Sequence, residues 1–192
     1  MIHRSDQLIQ IDGSMGEGGG QILRTALALS TRLGRPLRIF NIRAARKRPG
    51  LQPQHLAAVR AAAAISRASV QGDAKHAQAL LFAPSRVRPG EYHFSVGTAG
   101  STSLVLQTVL PALVLAEGPS HLTLEGGTHN PLAPPFDFLH HTYLPLLNRM
   151  GPRVTAHLER PGFAPRGGGR LRVDIQPGER LRPMELLKPG AI

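Results

Sequence analysis

Residues 9–24 read IQIDGSMGEGGGQILR, and this stretch decides the fold of the chain. A short apolar run ends at Asp12, and five glycines follow within the eight residues from Gly13 to Gly20. Beyond them, apolar residues recur from Ile22 to Leu33 at the spacing of one helix face. The stretch therefore predicts a strand, a turn of bare backbone and the start of a helix.

The glycine turn has the chemistry of a phosphate site. Glycine permits positive φ and a close approach of ligand to backbone, and a helix N-terminus supplies free N–H groups and a partial positive charge. Glu17 lies in the same turn, and a carboxylate beside a phosphate site usually indicates a bridging cation. The common phosphate motifs do not match, because no lysine follows Gly20 and Gln21 stands where a third glycine is needed. A plain flexible turn is the alternative.

The composition indicates a folded chain without cysteine. Its 192 residues, 41% of them hydrophobic, suffice for one large domain or two small units with a core. The lack of cysteine excludes disulfides and thiolate metal sites and suits a reducing cytosol. We find no apolar run long enough for a bilayer and no signal-peptide core, so we expect a cytoplasmic protein with no membrane partner.

The charge balance favours an anionic partner. Lysine and arginine number 23 against 12 acidic residues, a formal net charge of +11, and only three of the 23 are lysines. The planar fork of arginine suits bidentate phosphate contacts, and a charge this high is typical of proteins that bind nucleic acid or nucleotide. Charge spread over the surface for solubility is the alternative. Aromatic residues, at 4%, are few for a base-stacking platform.

The order of elements repeats along the chain at a nearly fixed spacing, which predicts an α+β fold of two tandem β-α-β-α-β-β units. In each unit we expect a small mixed sheet with two helices on one face. The units would span residues 1–88 and 89–178, with 179–192 as the stub of a third; chance similarity of two halves is the alternative. Matched pairs, 83 to 85 residues apart, are Gly13 with Gly97, Leu37 with Leu122, and Leu56 with Leu139. Predicted strands are 8–12, 37–42, 69–71, 79–82, 92–96, 121–125, 154–158 and 170–175; predicted helices are 20–33, 54–66, 101–116 and 136–150.

Polar residues near the predicted turns are candidates for the site. A basic loop with four cationic side chains follows the second strand, next to the helix that begins with Gln54 and His55. This arrangement predicts an anion site, and a solvated basic loop is the alternative. These cations are Arg43, Arg46, Lys47 and Arg48. Arg24 lies one helical turn beyond the glycines, so we expect it to contact an anion bound there; a surface arginine is the alternative. Gln107 interrupts an apolar helix, so we expect a buried amide that caps a loop or holds a base or sugar.

Taken together, the motifs resemble those of the RNA 3′-terminal phosphate cyclases. The resemblance runs from about Leu8 to about Leu187. It rests on Asp12-Gly13, Gly16–Arg24, Ile42–Arg46, Pro49–Leu51, Gln54-His55, Gly97, Ala99–Ser101, Leu106–Thr108, Gly126–Pro131, Ala133–Pro135, Gly162-Phe163, Pro165 and Gly167–Gly169.

The resemblance implies an ATP-dependent ligase-class enzyme that converts an RNA 3′-phosphate into a 2′,3′-cyclic phosphate. In the family a histidine is adenylylated, AMP passes to the RNA 3′-phosphate, and the adjacent 2′-hydroxyl expels AMP. The implied cofactors are ATP and a divalent metal, Mg²⁺ or Mn²⁺, and the implied partner is an RNA with a 3′-phosphate end. The family core has three repeats, with a smaller domain inserted in the third.

The resemblance also assigns roles by position. Glu17 matches the metal-binding glutamate of the family, and Gln107 matches a residue that contacts ATP. The matches to phosphate and active-site contacts are Arg24, Arg43, Arg46, Gln54 and His55.

Some family features have no counterpart in these 192 residues. None of the nine histidines stands at the nucleophile position, and the third repeat is missing, so we expect a truncated form without the covalent step. The apolar surface left where a third repeat docks predicts self-association. His129 and Ala45 replace the Asp and Gly that many members carry. The alternatives are a non-catalytic, cyclase-like protein that binds RNA or assists ribosome assembly and, third, an enolpyruvyl transferase-like enzyme.

Overall fold

The glycine-rich stretch connects a strand to a helix, as its sequence predicts. The computed structural model describes residues 8–187, and β1 (Ile9–Asp12) leads through the glycine turn into α1 (Gly20–Leu33). Gly34 ends α1 in the left-handed conformation, with φ of 65°, and its N–H donates to the carbonyl of Ser30. This residue is the C-cap that glycine favours, because it has no Cβ to oppose that conformation.

Two four-stranded mixed sheets confirm the α+β class and the repeated order of elements. The first sheet has the strand order β1-β2-β4-β3 and the second has β5-β6-β8-β7, so each places a parallel pair beside two antiparallel neighbours. The remaining elements are β2 (Leu37–Phe40), α2 (Pro53–Ser66), β3 (Ser69–Gln71), β4 (Leu80–Ala83), β5 (Gly90–Ser95), α3 (Thr102–Leu113), β6 (Ser120–Gly126), α4 (Phe136–Phe138), a π-helical segment (Leu139–Tyr143), α5 (Leu144–Arg149), β7 (Arg153–Arg160) and β8 (Gly169–Gln176).

Most element bounds differ by one to three residues from those that the sequence predicts, and β2, α3 and the helix predicted at 136–150 are three examples. β2 ends at Phe40 because Asn41 has a φ of 54°, which turns the backbone out of the sheet. α3 ends at Leu113, three residues before the predicted end at Ala116. The predicted helix 136–150 is helical nearly throughout, but its middle widens into the π-helical segment.

Helix α2 joins the two halves of the structure by contributing to both hydrophobic cores. Leu56 and Val59 pack with the first sheet, whereas Ala61 and Ile65 pack with the second sheet and α3. A helix that is apolar on all sides is typical of burial between layers. The N-terminus of α2, which carries Gln54 and His55, is thereby fixed where the two halves meet.

The helices of this structure are short. In the part of the chain that the structure describes, none is long and apolar enough to cross a lipid bilayer.

Candidate functional site

The glycine turn leaves the N-terminus of α1 open to a ligand. Gly16 and Gly18 have φ of 57° and 54°, a backbone conformation that residues with a Cβ rarely adopt. Gly19 is the N-cap of α1, and no side chain among residues 8–187 caps it by a hydrogen bond. The first N–H groups of α1 therefore retain their hydrogen-bonding capacity and their partial positive charge.

The basic loop after β2 lies over this turn. The guanidinium of Arg46 donates from Nη2 to the carbonyl oxygen of Glu17 at 2.6 Å, and the same Nη2 lies 3.7 Å from the Glu17 carboxylate. Arg43 is half-buried, with φ of 55°, and its Nη2 donates to the carbonyl of Arg48 at 3.1 Å. Burial, and then repulsion by Arg46, lowers the pKa of Arg43. Each of these two guanidinium groups is thus held in place by a backbone carbonyl.

His55 is buried against the start of α1. Its Nδ1 accepts the backbone N–H of Gln52 at 3.1 Å, which completes a capping box at the N-terminus of α2. The ring is 7% exposed, and its Nε2 faces Gly20, where an added Cβ would clash with it. Burial first, then repulsion by Arg43 and Arg24, lowers the pKa of His55 from 6.5 to about 4.

The hydrogen bond to Nδ1 determines the tautomer of His55. At neutral pH an imidazole with a pKa of about 4 is uncharged, so only one of its nitrogens carries a proton. Because Nδ1 accepts from Gln52, the proton is on Nε2. His55 therefore presents an N–H donor to the space beside Gly20.

Arg24 and Gln107 lie together between the two halves of the chain. Arg24 is only 7% exposed, so the alternative of a surface arginine is wrong, and burial lowers its pKa. Its Nε donates to Oε1 of Gln107 at 3.3 Å, and its Nη2 donates to Oε1 of Gln21 at 3.1 Å. Arg24 and Gln107 are 83 residues apart, which matches the spacing of the repeat, so the bond joins equivalent positions of α1 and α3.

The expectation that the amide of Gln107 is buried is wrong. Gln107 is the exposed position of a helix whose other side chains are nearly all buried, and its Oε1 accepts the hydrogen bond from Arg24. A cavity of about 180 Å³ adjoins it. Its lining is mostly apolar and consists of Ser103, Leu106, Gln107, Leu110, Pro134, Phe138, Leu139 and Tyr143.

Gln54 lies at a helix N-terminus that both glycine turns contact. A Cβ on Gly100 would lie 3.2 Å from the Cβ of Gln54, so the N-terminus of α2 touches the second turn, residues 97–100. The first turn touches the same helix through Gly20 and His55. One helix N-terminus therefore lies between both turns.

The structure brings Glu17 to this site without other metal ligands around it. Its side chain is 95% exposed, and residues 8–187 contain no group of three or more His, Cys, Asp or Glu side chains suited to a metal. Mg²⁺ is commonly bound by one or two carboxylates together with substrate phosphates and water. The single carboxylate therefore fits a hard cation that arrives with phosphate.

Sequence reasoning did not identify Gln52 or the packing role of Gly20. The spacing of Gln52 and His55, three residues apart before an apolar run, is a variant of the capping-box pattern and could have indicated the first. The contact of Gly20 with His55 joins residues distant in the chain, so no local pattern reveals it.

Comparisons with known proteins agree with the resemblance. A family model described as RNA 3′-terminal phosphate cyclase matches residues 15–187. Relatives named RNA 3′-terminal phosphate cyclase come from Koribacter versatilis, 57% identical over 185 residues, and Ectopseudomonas mendocina, 56% identical over 184. A third, from Caldivirga maquilingensis, is 52% identical over 186 residues.

These relatives are longer than this chain. Each alignment covers 96% of the chain but 52% to 53% of the relative, so the chain spans about half the length of the curated relatives it matches. Among solved structures, the enolpyruvyl transferase NikO from Streptomyces tendae overlaps with 81% of this chain and 29% of its own, at 21% identity and a TM-score of 0.42. That overlap is too low to support a conclusion about this chain.

Proposed function

We propose, since this chain belongs to the RNA 3′-terminal phosphate cyclase family, that it binds the RNA 3′-phosphate and the phosphates of ATP. The reaction would be the ATP-dependent conversion of that end into a 2′,3′-cyclic phosphate. In this proposal the residues around the start of α1 bind the phosphate groups of the RNA end and of ATP.

The observation that carries the proposal is the convergence of positive charge on one open helix N-terminus. Arg24, Arg43 and Arg46 meet there with the neutral N–H donor of His55. Glu17 is the one carboxylate in contact with these guanidinium groups among the described residues, at 3.7 Å from Arg46. Three cations against one exposed carboxylate leave an excess of positive charge that an anion such as phosphate would neutralise.

The site residues would act by positioning and by charge neutralisation. The guanidinium forks and the N–H groups at the start of α1 would hold phosphate oxygens in fixed directions. A fixed terminal phosphate makes the attack of its neighbouring 2′-hydroxyl a positioned intramolecular step, which is a large part of the catalysis available to such a reaction. The buried donors cost little reorganisation when negative charge develops.

His55 is a binding residue in this proposal and not a nucleophile. Its Nδ1 is occupied by the Gln52 N–H, and its Nε2 carries the proton at neutral pH. A nucleophilic imidazole nitrogen needs a free lone pair directed at the reacting phosphorus. The His55 ring instead offers a hydrogen to a phosphate or sugar oxygen.

The cavity beside Gln107 supports the proposal that ATP binds here. Its lining combines apolar side chains with the amide of Gln107, which suits a nucleobase that needs both stacking surface and a polar contact. Arg24, hydrogen-bonded to Gln107, leads from this cavity to the anion site. Glu17 would hold Mg²⁺ or Mn²⁺, which when bound neutralises phosphate charge.

Binding of two oligoribonucleotides that differ only at the 3′ end tests the proposal. We expect the fluorescence anisotropy of a 5′-labelled oligonucleotide to show tighter binding when it ends in a 3′-phosphate than in a 3′-hydroxyl. Arg43→Ala should weaken binding of the phosphorylated form by about tenfold or more, the usual cost of a charge-assisted hydrogen bond. Arg32→Ala, at the opposite end of α1, is the matched control and should leave both affinities unchanged.

Equal affinity for the two ends would contradict the proposal. In that case binding would depend on the RNA backbone alone, as expected of a non-catalytic RNA-binding protein, and its strength would fall with salt equally for both oligonucleotides.

A further inference from the structure

One cyclase-like motif, the loop of residues 160–169, has no role in the site described above. We propose that this loop binds the single-stranded RNA that precedes the 3′-phosphate, with a base stacked on Phe163 and backbone phosphates on Arg160 and Arg166. The inference rests on the proposed function, because it assumes that an RNA end occupies the anion site.

The ring of Phe163 is exposed but firmly placed. It is 57% exposed, and one face stacks on the imidazole of His129 with ring centres 5.2 Å apart and planes 21° apart. His129 is held in turn by Asp137, with Nε2 and Oδ2 3.1 Å apart. A preordered aromatic face that meets solvent offers a stacking surface for a base.

The backbone of the loop is fixed at its base. Gly167 donates its N–H to the carbonyl of Phe163 at 2.7 Å, which closes the turn. The backbone N–H of Thr128 donates to the carbonyl of Gly162 at 2.9 Å, and the backbone N–H of Gly162 donates to the Thr128 hydroxyl at 2.9 Å. The exposure of Phe163 is therefore built into the loop and does not result from a frayed segment.

Two arginines of the same loop line a neighbouring cleft of about 220 Å³. Arg160 donates from Nε to the carbonyl of Gly168 at 2.6 Å, while Arg166 is exposed. Glu125 also lines the cleft, but its carboxylate lies 3.7 Å from the guanidinium of Arg170, which offsets part of its charge. Guanidinium groups beside an exposed aromatic ring form the combination that recognises single-stranded RNA.

A series of contacts connects the loop to the anion site. A Cβ on Gly167 would lie 2.8 Å from the Cα of Ala99, so the loop rests on the second glycine turn. The same turn touches Gln54, which is next to His55. In this proposal, a strand that leaves the anion site passes Gln54 and Gly100 and then contacts Arg160 and Arg166. The aromatic content of 4% argued against a platform for many bases, but one ring suffices for one base.

Binding of short and long RNAs separates this contact from the end contact. We would measure the anisotropy of a 3′-phosphorylated dinucleotide and of a 3′-phosphorylated decanucleotide with wild type and Phe163→Ala. Affinity for the long RNA should fall about tenfold, as expected for the loss of one stacked base, and affinity for the dinucleotide should not change. Phe163→Tyr should restore wild-type affinity, whereas Phe163→Leu, which keeps apolar bulk without an aromatic face, should not.

The salt dependence of binding tests the arginine contact. Arg166→Ala should reduce the slope of log K against log salt by about 0.7 for the long RNA, the value for one phosphate contact on a single strand. Arg32→Ala, the control on α1, should leave the slope unchanged.

Each outcome decides between the two proposals. Equal losses for short and long RNA, or none for either, would overturn the role of the loop while the end contact stands. If neither phosphorylated RNA binds the wild type, the proposed function fails and this inference fails with it.

Discussion

Lowering the pH should destabilise this protein through His55. The imidazole lies buried near two guanidinium groups, so its pKa is about 4 in the folded chain and about 6.5 in the unfolded chain. Between these values the unfolded state binds more protons, so the contribution of His55 to stability is full above pH 6.5 and is lost as the pH falls toward 4. The difference corresponds to about 3 kcal/mol, most of it lost by about pH 4.5.

Urea unfolding of wild type and His55→Gln, from about pH 7.5 down to about pH 4.5, isolates this contribution. Glutamine is the ordinary partner in a capping box, so its Oε1 can accept the Gln52 N–H as Nδ1 does. The variant keeps the cap but does not titrate. The gap in unfolding free energy between the two proteins should therefore shrink by about 3 kcal/mol as the pH falls.

Carboxylates also titrate over this range, but they do so in both proteins and cancel in the difference. Parallel curves for wild type and His55→Gln would refute the reasoning. So would an NMR titration that places the pKa of His55 in the folded chain near 6.5, because the ring would then be solvated and far from the arginines.

Three further predictions concern helix α1 and the glycine turn before it. Gly20→Ala should weaken binding of 3′-phosphorylated RNA at least tenfold, because the new methyl group displaces His55. The melting temperature should change little, because alanine has a helix propensity up to about 1 kcal/mol more favourable than glycine. Unchanged affinity by anisotropy would disprove the packing role of Gly20. Glu17→Ala should reduce the Mg²⁺-dependent part of ATP binding about tenfold, as measured by calorimetry with and without Mg²⁺; an unaltered Mg²⁺ effect would remove the ligand role. Leu29 and Leu33, 54% and 60% exposed on α1, should drive self-association that light scattering detects and Leu29→Lys reduces, and a monodisperse wild-type monomer would contradict this.

Local patterns in the sequence predicted much of the backbone. The strand, glycine turn and helix at residues 9–33 follow from apolar spacing and glycine, and so does the Gly34 cap. Polar and apolar residues alternate in β5, as expected of a sheet with helices on one face, and Tyr92 and Phe94 are less exposed than Glu91 and His93.

Contacts between distant parts of the chain were beyond such patterns. Gln107 is polar on an apolar helix because Arg24 of the other half faces it, and no spacing within α3 reveals that partner. The early end of β2 depends on the positive φ of Asn41, a residue that tolerates this conformation but does not require it. The low pKa of His55 likewise depends first on its burial and then on Arg43 and Arg24, and all three arise only in the folded chain.

The most direct test of the central claim is an NMR titration of the ¹⁵N-labelled chain with a 3′-phosphorylated dinucleotide. We predict that the backbone amides of Gly19 and Gly20 and the Nε2–H of His55 shift together, and that the pKa of His55 rises because phosphate offsets the nearby guanidinium charge. The same dinucleotide with a 3′-hydroxyl should leave these signals in place. If the 3′-phosphate shifts none of these three signals, or shifts only signals elsewhere in the chain, then the glycine backbone and the arginines at the start of α1 do not bind an RNA end.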